Sequence, residues 1–189
     1  MREINKKQFK KGFTLVEILV AVFIFSIVIG SIVTIFVITI RQQNIILRNQ
    51  IVLNQISYVI EFMSRSLRMA KKDLNGSCLN IPGCNYLVDD NNRNRIKFIN
   101  TLDGDDCQEF YLESEQLKYK KSSWAEGMPL TATSSLKVKN LEFRLSGGCD
   151  DDTLQPRLTI KLEAENPIRG GEKINIQTTI SQRNLDVPE

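Results

Sequence analysis

The residues whose types could support chemistry in this 189-residue chain are few and scattered. Glu17 is the one charge in the 28 residues from Phe13 to Ile40. A charge inside an apolar helix costs several kcal/mol unless it is paired. Near a helix start it meets the positive end of the dipole. Cys78, Cys84, Cys107 and Cys149 all follow the apolar run. An even count in an exported segment predicts two disulfides. Four cysteines allow three pairings, and spacing does not choose among them. The expected set is Cys78–Cys84, closing the short loop 77–85, with Cys107–Cys149. Zinc is the competing reading, but no C-x-x-C pair is present.

Histidine is absent. That excludes Ser-His-Asp and Cys-His catalytic units and any histidine-ligated metal. Nothing groups a nucleophile, a base and oxyanion donors, so no catalytic site and no cofactor is expected. The acidic runs Asp103, Asp105, Asp106 and Asp150, Asp151, Asp152 invite calcium. Neither follows the EF-hand pattern, and both read as soluble turns, as does Asp89-Asp90-Asn91-Asn92; no metal is expected. Trp124 lies in a loop, where it either meets a partner or anchors that loop to the core. Lys118, Lys120 and Lys121 read as a solvated basic strand face, and no nucleic-acid role is assigned.

The elements that position these residues follow from periodicity. Phe13–Ile40 exceeds the roughly 20 apolar residues that a bilayer core requires. It is longer than the core of a secretory signal and lacks a small-residue cleavage site behind it. Arg2, Lys6, Lys7, Lys10 and Lys11 precede it, against Glu3 alone. This bias keeps the N-terminus cytoplasmic and sends the remainder across the membrane. From Phe13 onward 20 basic and 21 acidic residues remain, so the net +3 belongs to the leader. It carries no argument for nucleic-acid binding by the body of the protein.

Beyond Arg41, Ile45, Val52, Ile56, Val59, Ile60, Met63, Leu67, Ala70 and Leu74 recur mostly at steps of three, four and seven. That is one stripe of a helix. One helix from about Phe13 to Asp73 is predicted, with Asn75-Gly76 as its stop. At 1.5 Å per residue it would measure about 90 Å. After a polar loop over 77–94 the period changes to two. Strands are predicted over 95–99, 109–112, 116–120, 137–145, 157–163 and 173–180. They form an antiparallel sheet with one wet face, whose apolar face the amphipathic helix covers. The fold class is α+β.

The stretch Lys10-Lys11-Gly12-Phe13-Thr14-Leu15-Val16-Glu17-Ile18-Leu19-Val20-Ala21 resembles the type IV prepilin signal. Its family comprises pilins and the pseudopilins of type II secretion. The resemblance implies that a membrane prepilin peptidase, an aspartyl protease, cuts between Gly12 and Phe13 and methylates the Phe13 amine. Gly12 suits that role, because a residue without a side chain lets a protease approach its backbone closely. The resemblance further implies partnership with other pilin subunits, an inner-membrane assembly platform and the lipid bilayer. Glu17 would pair with the Phe13 ammonium of a neighbouring subunit and select register, a known use of a buried charge. The implied layout is a leader, 1–12; a transmembrane half-helix, 13–40; an amphipathic half, 41–75; and an extracytoplasmic loop and sheet domain, 76–189. The protein would be a single-pass inner-membrane protein, then part of a pilus or pseudopilus.

Val138-Lys139-Asn140-Leu141-Glu142-Phe143 and the run from Gln177 to Asn184 resemble minor subunits, of the J-type pseudopilin or W-type minor pilin sort. Major pilins commonly carry a proline about two-thirds along the membrane helix, where this chain has Thr34. That departure also points to a minor subunit. The alternative function is a membrane-anchored binding domain that never assembles; such an anchor needs neither Gly12 nor Glu17.

Overall fold

The computed structural model describes residues 12–132, 136–149, 154–167 and 173–183. The chain divides into two compact units, Met1–Ile45 and Ile46–Glu189. One long α-helix, α1, runs Leu15–Arg68. Among the described residues nine strands follow: β1 Ala70–Lys71, β2 Leu87–Val88, β3 Arg95–Asn100, β4 Asp106–Glu113, β5 Gln116–Lys121, β6 Met128–Pro129, β7 Lys137–Ser146, β8 Arg157–Glu165 and β9 Lys173–Ser181. The architecture is α+β, one long helix packed with antiparallel sheet.

All six expected strands are present, but they form two sheets rather than one. The first has the order β1-β3-β4-β5-β6, with β2 also paired to β3; the second is β7-β8-β9. The strands missed by the sequence reading, β1, β2 and β6, have two residues each. Such a length shows no period. The two-residue turn Ser114-Glu115 joins β4 to β5 with both residues at positive φ, 52° and 61°. That geometry matches the right-handed twist of a hairpin. It is held by contacts to β7. The Glu115 carbonyl accepts from the Val138 N–H at 2.9 Å, and its carboxylate pairs with Lys137 and Lys139 at 2.9 and 2.6 Å.

In the second unit the helix stripe does what its period requires. Val52, Ile56, Val59, Met63 and Leu67 are buried, and Ile60 is half-buried beside them. They join one core with Ile96, Phe98, Phe110 and Leu117 of the first sheet and Leu141, Phe143, Ile160 and Leu162 of the second. Phe62 packs edge-on against Phe110 and Tyr119, with centroids 5.9 and 5.4 Å away. Such aromatic pairs add about 0.5–1.5 kcal/mol each to the burial term.

The helix ends at Arg68, short of the expected Asp73, for a tertiary reason. The last carbonyls of a helix have no partner within it. Here they find partners elsewhere. The Leu67 carbonyl accepts from the Tyr86 hydroxyl at 2.6 Å. The Arg68 and Met69 carbonyls accept from the N–H groups of Arg183 and Thr101, at 2.8 and 3.1 Å. Ala70 O accepts from the Gln182 amide at 2.8 Å. Ala70 and Lys71 then pair with Asn100 and Ile99 as β1. Leu74, the last residue of the expected stripe, is exposed.

Asp73 is buried, and it organises the turn behind β1. Its carboxylate accepts from the N–H groups of Ser77, Cys78 and Leu79 at 3.1, 2.8 and 2.8 Å. Burial alone would raise this carboxyl; the N–H groups of Leu79, Cys78 and Ser77, with the Ser77 hydroxyl, outweigh it and hold the group below its ordinary value. The folded value therefore lies under the unfolded one. The associated stability is complete above about pH 4 and is lost as pH falls through the folded value. Asp73→Asn is expected to cost about 1–3 kcal/mol at neutral pH, because the amide turns an N–H toward one of these donors. Denaturant unfolding of the full chain in detergent at pH 7 and pH 3 should show the gap between wild type and variant narrowing in acid. A gap that is constant with pH would deny the carboxylate this role.

Candidate processing and assembly site

Gly12, Phe13 and Thr14 precede α1. All three are exposed, Phe13 to 77%. A Cβ built on Gly12 meets nothing within 4 Å. The folded chain itself thus places no steric demand for glycine at this position.

The helix starts on a residue that the sequence reading passed over. Thr14 Oγ1 accepts from the Glu17 N–H at 3.3 Å, and Thr14 O accepts from the Ile18 N–H at 3.2 Å. Thr14 is therefore the N-cap. The signal was legible: threonine followed three residues later by glutamate, at the head of an apolar run, is the sequence form of a capping box. Glu17 caps nothing in return. Its backbone serves the cap, and among the described residues its carboxylate has no hydrogen bond or ion pair. It lines an open groove on the helix surface with Phe13, Ile18, Ala21, Val22 and Phe25.

The other polar side chains of the run are satisfied within the helix. The hydroxyls of Ser26, Ser31, Thr34 and Thr39 donate to the carbonyls of Val22, Ile27, Gly30 and Ile35 at 2.8–3.0 Å. This is the back-bonding that lets hydroxyls sit in an apolar medium. α1 is long and apolar enough to cross a membrane, and its most apolar window of 18 residues has a mean hydropathy of 2.9 with none of it buried. Glu17 is left as the one group in the run that asks for a partner.

The disulfides are Cys78–Cys107 and Cys84–Cys149, so the expected pairing is corrected. The loop 77–85 is closed without a covalent bond. The Asp73 carboxylate holds one side of it, and its backbone holds the other, with Asp73 N–H on Cys84 O at 2.9 Å and Gly83 N–H on Asp73 O at 2.8 Å. That fold carries Cys78 to β3, its sulfur 3.8 Å from Phe98 O, beside Cys107 on β4. It carries Cys84 to the end of β7, where Asn85 N–H donates to Gly148 O at 2.7 Å next to Cys149. Nothing in the run Lys71-Lys72-Asp73 marks this aspartate as buried, because its donors come from the turn it creates.

The other candidates resolve locally. Asp103 pairs with Lys121 and accepts from the Gln108 amide, Asp105 pairs with Lys71, and Asp106 bonds Ser122. Asp150, Asp151 and Asp152 lie outside the described residues. Trp124 is half-buried and packs edge-on against Tyr119 at 5.6 Å, anchoring its loop to the core. Lys118 pairs with Glu113 at 2.5 Å. That contact, with the charge attraction, raises the Lys118 ammonium and lowers the Glu113 carboxyl from their ordinary values.

Comparison with known proteins agrees with the geometry at the N-terminus. The prokaryotic N-terminal methylation motif matches residues 7–33, which include Gly12, Phe13, Thr14 and Glu17. No curated protein and no solved structure matches the chain. The motif implies processing by a prepilin peptidase and assembly with other pilins, and the apolar helix behind it suggests a membrane-anchored protein. In this motif and in its α+β layout, the chain is similar to the precursors of type IV pilin-like proteins.

Proposed function

We propose that the chain is a minor pilin or pseudopilin: a structural subunit, cut by a prepilin peptidase between Gly12 and Phe13, methylated on the Phe13 amine, and added to a type IV pilus or a type II secretion pseudopilus. The observation that carries this reading is Glu17, a carboxylate without a partner among the described residues, in an apolar run whose hydroxyls donate within the helix. In an apolar bundle it needs a cation. Processing supplies one, the new amine at Phe13, on each subunit. Before the cut the basic leader holds the N-terminus on the cytoplasmic side; after it the bilayer and the assembly platform hold the subunit. The domain beyond the membrane is then extracytoplasmic, which suits two disulfides. A plain anchor for a binding domain has no use for an unpaired glutamate, and leucine at position 17 would serve it better.

Processing is tested at Gly12. Gly12→Val is expected to block cutting almost completely, while the folded domain keeps its stability, since space around Gly12 is open. Mass spectrometry of membrane-extracted protein should find Phe13 as the N-terminus of the wild type and Met1 for the variant. An intact Met1 start in the wild type, with the peptidase present, would sink the proposal.

A further inference from the structure

The register of β3, β4 and β5 places charge in rows on the face opposite the core. Lys97, Glu109 and Lys120 face one another across the three strands. With strands about 4.8 Å apart, the two lysine Cα atoms are about 10 Å apart, with Glu109 between them. In the next row Arg95 and Lys118 flank Tyr111. Arg95 donates to the Glu109 carboxylate, and its guanidinium lies 4.7 Å from the Tyr111 ring centre. Lys118 and Lys121 have their own acids, Glu113 and Asp103. Lys97 and Lys120 differ. Both are half-buried, and among the described residues neither ammonium has a hydrogen bond or ion pair.

An open depression of about 230 Å³ lies here, lined by Lys97, Cys107, Glu109, Lys120, Lys121 and Ser122. Its floor is three hydrogen-bonded strands, pinned at one end by the Cys78–Cys107 disulfide. A preformed floor lowers the cost of ordering on binding. Two half-buried lysines, neither ammonium in an ion pair among the described residues, favour an anion, which each can meet with three donors. Glu109 sets a further condition. A bare anion between the lysines meets this carboxylate, whereas a ligand that also carries hydroxyl groups can donate to it. An acidic sugar carries both, an anionic group on a hydroxylated body.

We propose that this face binds an acidic sugar unit, a hexuronate or a sugar phosphate, with Lys97 and Lys120 on the anionic group and Glu109 accepting from hydroxyls. The site lies wholly on β3–β5 and does not depend on processing or assembly. The test uses the full chain in detergent micelles, titrated calorimetrically with glucuronate, glucose 6-phosphate, glucose and inorganic phosphate. Both acidic sugars should bind at least about tenfold more tightly than glucose or phosphate, and more weakly as salt rises. Lys97→Gln with Lys120→Gln should lose about tenfold or more in affinity, with an unchanged thermal midpoint. Lys118→Gln, on the same face but already paired, should bind as the wild type does. Failure of both acidic sugars to bind, phosphate binding as tightly as they do, or full affinity in the double variant would each overturn the proposal.

Discussion

Glu17→Leu is expected to leave membrane insertion and cleavage intact and to reduce incorporation into filaments by more than a hundredfold. Helix initiation should survive, because Thr14 bonds the backbone N–H of residue 17 and not its side chain. Insertion should improve, since the change removes the one charge from Phe13–Ile40. On the proposed reading, what is lost is the partner of a neighbour's Phe13 ammonium. Stranding one member of a buried pair costs roughly 3–5 kcal/mol, and about 1.4 kcal/mol is a factor of ten. Glu17→Gln separates charge from shape. It keeps the volume and should fail in assembly almost as badly. Pulldown with other pilins and filament counts measure both variants. Wild-type levels with Glu17→Leu would remove the assembly role from this residue while leaving the processing prediction at Gly12 standing.

The second large effect concerns the disulfide between Cys84 and Cys149, which spans 65 residues. In the chain-entropy view, closing a loop of that length stabilises by about 4 kcal/mol. For a chain of this size each kcal/mol moves the thermal midpoint by roughly 2–4 °C. The double variant Cys84→Ala, Cys149→Ala should therefore melt about 8–16 °C lower. The Cys78–Cys107 bridge closes 29 residues and should matter slightly less. The same double variant reports the pairing. With the bonds as found, it retains Cys78–Cys107 and offers no thiol to an alkylating reagent. Under the pairing Cys78–Cys84 with Cys107–Cys149 it would expose Cys78 and Cys107, so two alkylated thiols would refute the structure here.

Much of this protein was legible as sequence because it depends on local order. The apolar run, the helical stripe from Val52 to Leu67 and the alternation in six strands each repeat often enough to show a period. The N-terminal methylation motif, which includes Gly12, Phe13 and Glu17, reads directly, since it is one contiguous stretch of sequence. Even Thr14 was within reach, as its partner lies three residues away. Three features were not legible, and they share a cause. The helix stops at Arg68 because donors from Tyr86, Thr101, Gln182 and Arg183 converge on its last carbonyls and those just beyond. Asp73 is buried because a turn folds three N–H groups onto it. The cysteines pair as they do because that turn carries Cys78 to β4 and Cys84 to the end of β7. Each depends on groups far apart in sequence meeting in space. Spacing records separation along the chain, and only the packed structure decides which donor reaches which acceptor, since a buried polar group must be satisfied wherever the fold places it.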